Sequence, residues 1–149
     1  MLETLVTHIY EGGLPGTVVQ NIGDICWRLY EGPADRQVEV VFLGEEEHCN
    51  LHERFLQDAS PTDVIAFPYE TKEESSGNGD KLFGEIAVNV EMAKRQARQR
   101  NLDIAQELSL YVAHGFLHLL GFDDGNPAEC KEMRSAEQAV LQELGFSLP

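Results

Sequence analysis

The chain has 149 residues, with 26 acidic and 11 basic side chains, a formal charge of −15 and 42% hydrophobic residues. That length and composition are enough for one core without disulfide staples and exclude wholesale disorder, so a single domain over residues 1–149 is expected. The charge excludes a protein that coats nucleic acid through a broad basic surface, but not a polyanion held at one local site. Cys26, Cys49 and Cys130 are widely spaced and form no CxxC pair, which points to a reduced, cytoplasmic setting. Met1 to Tyr10 lacks a basic segment followed by an apolar run, and no stretch of about 18 apolar residues is present, so neither a signal peptide nor a membrane span is expected.

Leu2 to Tyr10 alternates weakly and predicts a first strand, after which Gly12, Gly13, Pro15 and Gly16 punctuate. Val18, Val19, Ile22, Ile25, Cys26 and Leu29 recur at helical spacing, with Thr17 as N-cap and Gly32-Pro33 as the stop. Val38, Val40 and Phe42 alternate as a strand. Gly44 to Leu56 predicts a helix whose first turn, Glu45-Glu46-Glu47, complements the helix dipole as an ordinary solvated start. Ser60 to Asp63 is turn chemistry leading into a short strand, Val64 to Phe67. Tyr69 to Lys81 has almost no apolar anchor and predicts a mobile surface loop. Strand character returns from Leu82 to Val90, followed by a polar helix from Glu91 to Arg100. Asp103 caps a longer helix through Leu120, ended by Gly121, and Pro127 opens a last helix with Met133, Ala136, Val140, Leu141 and Leu144 as its apolar face and Gly145 as its end. Strands separated by helices imply parallel pairing with at least one antiparallel edge, and the C-terminal half is mainly helical.

The segment from His114 to Asp124, HGFLHLLGFDD, carries the chemistry. Histidines four apart on a helix share one face, one turn apart, where both imidazoles can bind a single ion. Open zinc sites of the hydrolytic type use three protein ligands and leave a position for water. Gly121 can reverse the chain so that Asp123 or Asp124 folds back toward His114 and His118. Two core histidines with satisfied hydrogen bonds are the plain alternative, but the glycine turn and paired acids that follow favour a metal. Gly115 stands where an HExxH motif has its glutamate, so the helix does not support a peptidase mechanism using that base.

HGFLHLLGFDD closely resembles the HGxLHLxGYDH signature of the YbeY family of endoribonucleases. Pro61 to Pro68, PTDVIAFP, is similar to that family's PTDVLSFP segment, and Phe83-Gly84-Glu85-Ile86 to its LGDI strand. Met133, Glu137, Leu141 and Leu144-Gly145 resemble its C-terminal helix. The similarity runs over roughly residues 38 to 146. It implies a zincin-like α+β fold with a mixed sheet and a metal-bearing helix in the C-terminal half. It also implies one zinc ion, cleavage of single-stranded RNA, and a role in 16S ribosomal RNA maturation and ribosome quality control.

Two departures stand out. The signature ends in a third histidine, where this chain has Asp124. A carboxylate ligates zinc, so the set His114, His118 and Asp124 is chemically sound, but it equally suits iron or manganese. Asp123 is the alternative ligand; the alignment favours Asp124. The family also reads LNxxYR before the PTDV segment, where this chain has Leu51-His52-Glu53-Arg54-Phe55-Leu56. Leucine at the arginine position cannot replace a guanidinium fork on phosphate. Arg54 faces elsewhere on the helix, and His52, at the asparagine position, is either a donor there or an ordinary surface histidine.

The leading expectation is hydrolytic RNA cleavage by a metal-activated water. No general base is evident. Asp63 and Glu85 are weak catalytic candidates, falling at the family's acidic positions near strands, and their plain roles are turn capping and support of a histidine. Lys94, Arg95, Arg98 and Arg100 form either a basic patch for an RNA backbone or a solvated helix face. Residues 1 to 80 hold 16 acids and four bases, so a partner protein or the ribosome is expected to deliver the substrate. The rivals are a metal-dependent peptidase or other hydrolase, and an assembly factor whose metal is mainly structural.

Overall fold

A computed structural model of the chain describes residues 1–69 and 81–146. The loop expected over Tyr69 to Lys81 falls, apart from its end residues, outside the described residues. The elements are β1 (Leu2–His8), α1 (Gly16–Leu29), β2 (Arg36–Leu43), α2 (Glu45–Leu56), β3 (Val64–Pro68), β4 (Leu82–Asn89), α3 (Val90–Arg100), α4 (Ile104–Leu119) and α5 (Pro127–Glu143). The strands form one sheet in the order β1-β2-β4-β3. β1 pairs parallel with β2 and β2 parallel with β4, whereas β3 runs antiparallel to β4 as an edge. This is the mixed-sheet α+β class that the resemblance implies, with the antiparallel edge that the order of strands and helices implies.

The pleat of β2 and β4 divides the side chains. Val38, Val40, Phe42, Ile86 and Val88 face one way and form the main core with Ile22 and Cys26 of α1 and Val112 and Phe116 of α4. Two glycines let α4 lie directly against the sheet. A Cβ on Gly115 would sit 2.6 Å from Ile86 Cγ2, and one on Gly84 2.6 Å from Leu119 Cδ2. The same contact explains why no glutamate occupies position 115: that side of the helix is filled by β4.

Several boundaries differ from the sequence reading. α1 is capped by Pro15, whose carbonyl accepts from the N–H groups of Val18 and Val19, with no side-chain cap from Thr17. Proline loses nothing here, because the first N–H groups of a helix have no intrahelical acceptor. β1 ends at His8, after which the Ile9 and Tyr10 N–H groups both bond the Phe42 carbonyl. β4 gives way to α3 at Val90 without a loop. Asn89 makes that junction: its side chain accepts from Met92 N at 3.0 Å and donates to the Thr62 carbonyl at 3.1 Å. The segment entering β3 is thereby tied to the start of α3.

The other sheet face is only partly covered, by α2. Leu5, Ile9, Phe55, Leu56 and Tyr69 are exposed and line a trough of about 1050 Å³ on this side.

Candidate metal centre

Helix α4 places the two histidines. Asp103 opens it by accepting from Ala105 N, and the chain leaves it through Gly121 at φ +105°, a conformation open to glycine and strained for other residues. The reversal brings Asp124 back over the helix end. Asp124 Oδ2 lies 3.6 Å from His114 Nε2 and 3.8 Å from His118 Nε2, and the two Nε2 atoms are 3.0 Å apart. The edge between two nitrogens of a tetrahedral zinc site, taken from ~2.05 Å bonds, is about 3.3 Å, so three donors at these separations fit one ion. Asp123 is engaged elsewhere, its Oδ1 accepting the Asp124 N–H at 2.8 Å. The Cys130 thiol donates to the Asp124 carbonyl at 3.1 Å and fastens the turn to α5.

Glu137 sets the tautomer. Its Oε2 accepts from His114 Nδ1, so Nε2 presents a bare lone pair to Asp124 and His118. Burial lowers the His114 pKa, but the Glu137 hydrogen bond and the charges of Glu137, Asp63 and Asp124 outweigh it and hold the imidazole above its ordinary value. His118 goes the other way: burial and the His114 charge lower it. The two imidazoles are therefore driven apart, one strengthened as a base by a carboxylate and the other weakened by burial and by its neighbour.

Glu137 had no assigned role in the sequence reading. Its signal was its place in the stretch Met133, Glu137, Leu141 that resembles the family's C-terminal helix, which marks the residue without giving it a role. The other candidates scatter. Asp63 lies at the entry of β3, where its Oδ1 accepts Val64 N at 2.7 Å, and its charge reaches His114. Glu85 alternates with Gly84 and Ile86, which pack on α4, and so points to the opposite sheet face. There it hydrogen-bonds Glu39, whose pKa is raised first by that bond, then by burial. His52 Nδ1 bonds the Ser60 carbonyl at 2.9 Å and closes the end of α2. Leu56 is exposed on the trough, on Glu85's side of the sheet. Three of the four basic residues of α3 have partners of their own. Arg95 is held by Glu45, Lys94 lies over the Tyr10 ring, and Arg100 approaches Glu107.

A mixed sheet backed by a helix that carries a histidine–carboxylate cluster defines a hydrolase-like α+β scaffold with a candidate metal centre. The model of the endoribonuclease YbeY family matches residues 16–145, and the chain belongs to that family. Among relatives bearing that name, one from Thermodesulfovibrio yellowstonii is 36% identical over 115 residues, 76% of this chain and 70% of its own length. Another, from Saccharopolyspora erythraea, is 35% identical over 113 residues, 72% of this chain and 62% of its own length. The solution structure of TM1509 from Thermotoga maritima is similar at a TM-score of 0.65 and 25% identity, covering 95% of this chain and 88% of that one. Among the described residues no helix is long and apolar enough to cross a membrane.

Proposed function

We propose that the chain is a single-domain, metal-dependent endoribonuclease that cuts single-stranded RNA in the cytoplasm and acts in 16S ribosomal RNA 3′-end maturation and ribosome quality control. The observation that carries the reading is the convergence of His114, His118 and Asp124 in a chain of this family. His114 Nε2, His118 Nε2 and an Asp124 oxygen would hold the ion, zinc being the first choice and iron or manganese compatible with two histidines and a carboxylate. When bound, the ion supplies Lewis-acid polarisation of a phosphate oxygen and an acidified water. The protein's own part is positioning: Glu137 fixes the His114 tautomer and Gly121 turns the acid inward. Asp63 is the catalytic candidate nearest in electrostatic reach of His114, while Glu85 and His52 would act only through distant parts of the surface.

Metal content decides the ligand set. Protein purified without added metal should carry about one ion per chain, falling to near zero in His114→Ala and Asp124→Ala and unchanged in His48→Ala. Full occupancy in Asp124→Ala would overturn the set. Internal cutting of a single-stranded RNA that vanishes in His118→Ala supports the nuclease. One second reading has a specific observation behind it. Leu56 stands where the resembling motif has arginine, which favours an assembly factor with a structural metal. Co-sedimentation with ribosomes that survives His118→Ala, without any cutting, would establish that alternative.

A further inference from the structure

Helix α4 carries more than the histidines on their side. Glu107, Tyr111, His114 and His118 are spaced four, three and four apart and form one stripe along it. Glu107 is 1% exposed, and neither carboxylate oxygen has a hydrogen-bond partner. Its neighbour is the guanidinium of Arg100 at the end of α3, with Nη1 at 3.5 Å from Oε1. Arg100 is itself 56% exposed. An ion pair built for stability would be shorter and bidentate. Here a buried acceptor engages one corner of the fork and leaves the other donors turned to solvent. Sealing a carboxylate with unmet oxygens is costly, and the cost calls for a function.

The stripe is electrostatically continuous. The Asp63 charge acts on Glu107, on Tyr111 and on His114 alike. Seven residues separate Glu107 from His114, which is about 10 Å of helix and nearly two full turns. That distance corresponds to one or two nucleotide steps of an extended strand. Two other cations of α3 are already engaged: Arg95 is bonded through both terminal nitrogens to Glu45, and Lys94 is drawn over Tyr10.

We propose that Arg100, held at the rim by the buried Glu107, grips the backbone phosphate one or two nucleotides from the bond cut at the His114–His118–Asp124 cluster, so that the RNA strand runs along α4. The inference rests on the endoribonuclease reading and names how that site orients its substrate. Arg100 is the contact and Glu107 is a positioning residue. A guanidinium here also supplies a phosphate fork in a chain whose position 56 is leucine.

The test uses a set of short single-stranded RNAs, each with one uncharged methylphosphonate linkage stepped outward from the cut, with the zinc-loaded chain. Arg100→Ala should lower kcat/KM about tenfold on all-phosphate RNA, mainly through KM, and Arg100→Lys should recover only part of it. The unsubstituted chain should suffer the same loss when a single linkage, one or two nucleotides from the cut, is neutral. Arg100→Ala should be indifferent to that linkage alone. Glu107→Gln, which keeps the volume, should reproduce the KM effect, with no further loss in the double variant. Binding of the same RNAs to zinc-free protein, read by fluorescence anisotropy, gives the contact without cutting: the slope of log K against log salt should become shallower by about 0.7 in Arg100→Ala. Losses that multiply at every linkage, or an Arg100→Ala chain that cuts and binds normally, overturn the inference and leave the nuclease standing. RNA that binds with the predicted slope change but is never cut overturns the nuclease reading and keeps the contact. RNA that is neither bound nor cut overturns both.

Discussion

Glu107 shows how one side chain can set a pH dependence. Burial raises its pKa, Arg100 partly opposes that, and the Asp63 charge adds to it. The folded chain therefore binds this proton more tightly than the unfolded chain. Its contribution to stability is fully present below the ordinary carboxylate pKa and is lost as pH rises through the elevated folded value. Urea unfolding of Glu107→Gln across pH 4 to 8 should remove this component of the pH profile and leave the variant at least as stable as the parent at pH 8. A variant that becomes less stable at pH 8 would mean that the Arg100 pair outweighs the desolvation of the acid. At the same scale, Glu45 stands opposite: the Arg95 hydrogen bond holds its carboxyl below the usual range, so its share of stability is present at neutral pH and fades on acidification.

At the scale of elements, the seating of α4 on β4 governs where the histidines point. Gly115→Ala places a methyl 2.6 Å from Ile86, and overpacking of this kind costs about 1–3 kcal/mol. The denaturation midpoint of Gly115→Ala should fall accordingly, and metal affinity should fall with it as His114 is displaced. Unchanged stability would mean that β4 yields. This packing also shows what could be read beforehand. The His114–His118 pair, the Asp103 cap and the Gly121 stop are local, decided within one or two turns, and the sequence pattern exposes them. Glu137 meets His114 from 23 positions away on another helix, and Glu45 meets Arg95 from 50 away, so neither pairing is visible until the helices are packed. The scattering of Lys94, Arg95 and Arg100 has the same origin: spacing along α3 predicts neighbours on one helix, whereas acids on α2 and α4 pulled two of the three aside. Pro15 was missed for a different reason, since Thr17 has the better side chain for a cap and the backbone alone closed the helix.

For the whole molecule, the balance of −15 is a reserve of repulsion that a cation at the cluster would relieve. Zinc at a hundredfold excess over its dissociation constant should stabilise the fold by about 2.7 kcal/mol, and chelator should reverse it. Calorimetry of the parent and of Asp124→Ala checks this without reference to activity: the variant should show no zinc-dependent rise in Tm. Equal rises in both would place the binding elsewhere. The same charge predicts weak association with naked RNA, because the acidic surface opposes the approach of a polyanion.

The contact between Gly115 and Ile86 also constrains descent. A single substitution at position 115 would be the shortest route from this helix to the HExxH pattern of a peptidase. The glutamate so introduced would start from a Cβ already in collision with the sheet, on the side of the helix that faces Ile86. Relieving that collision calls for a smaller residue at 86, which by itself would leave a cavity in the main core. The close approach that positions the histidines thus also closes the nearest mutational door to another reaction.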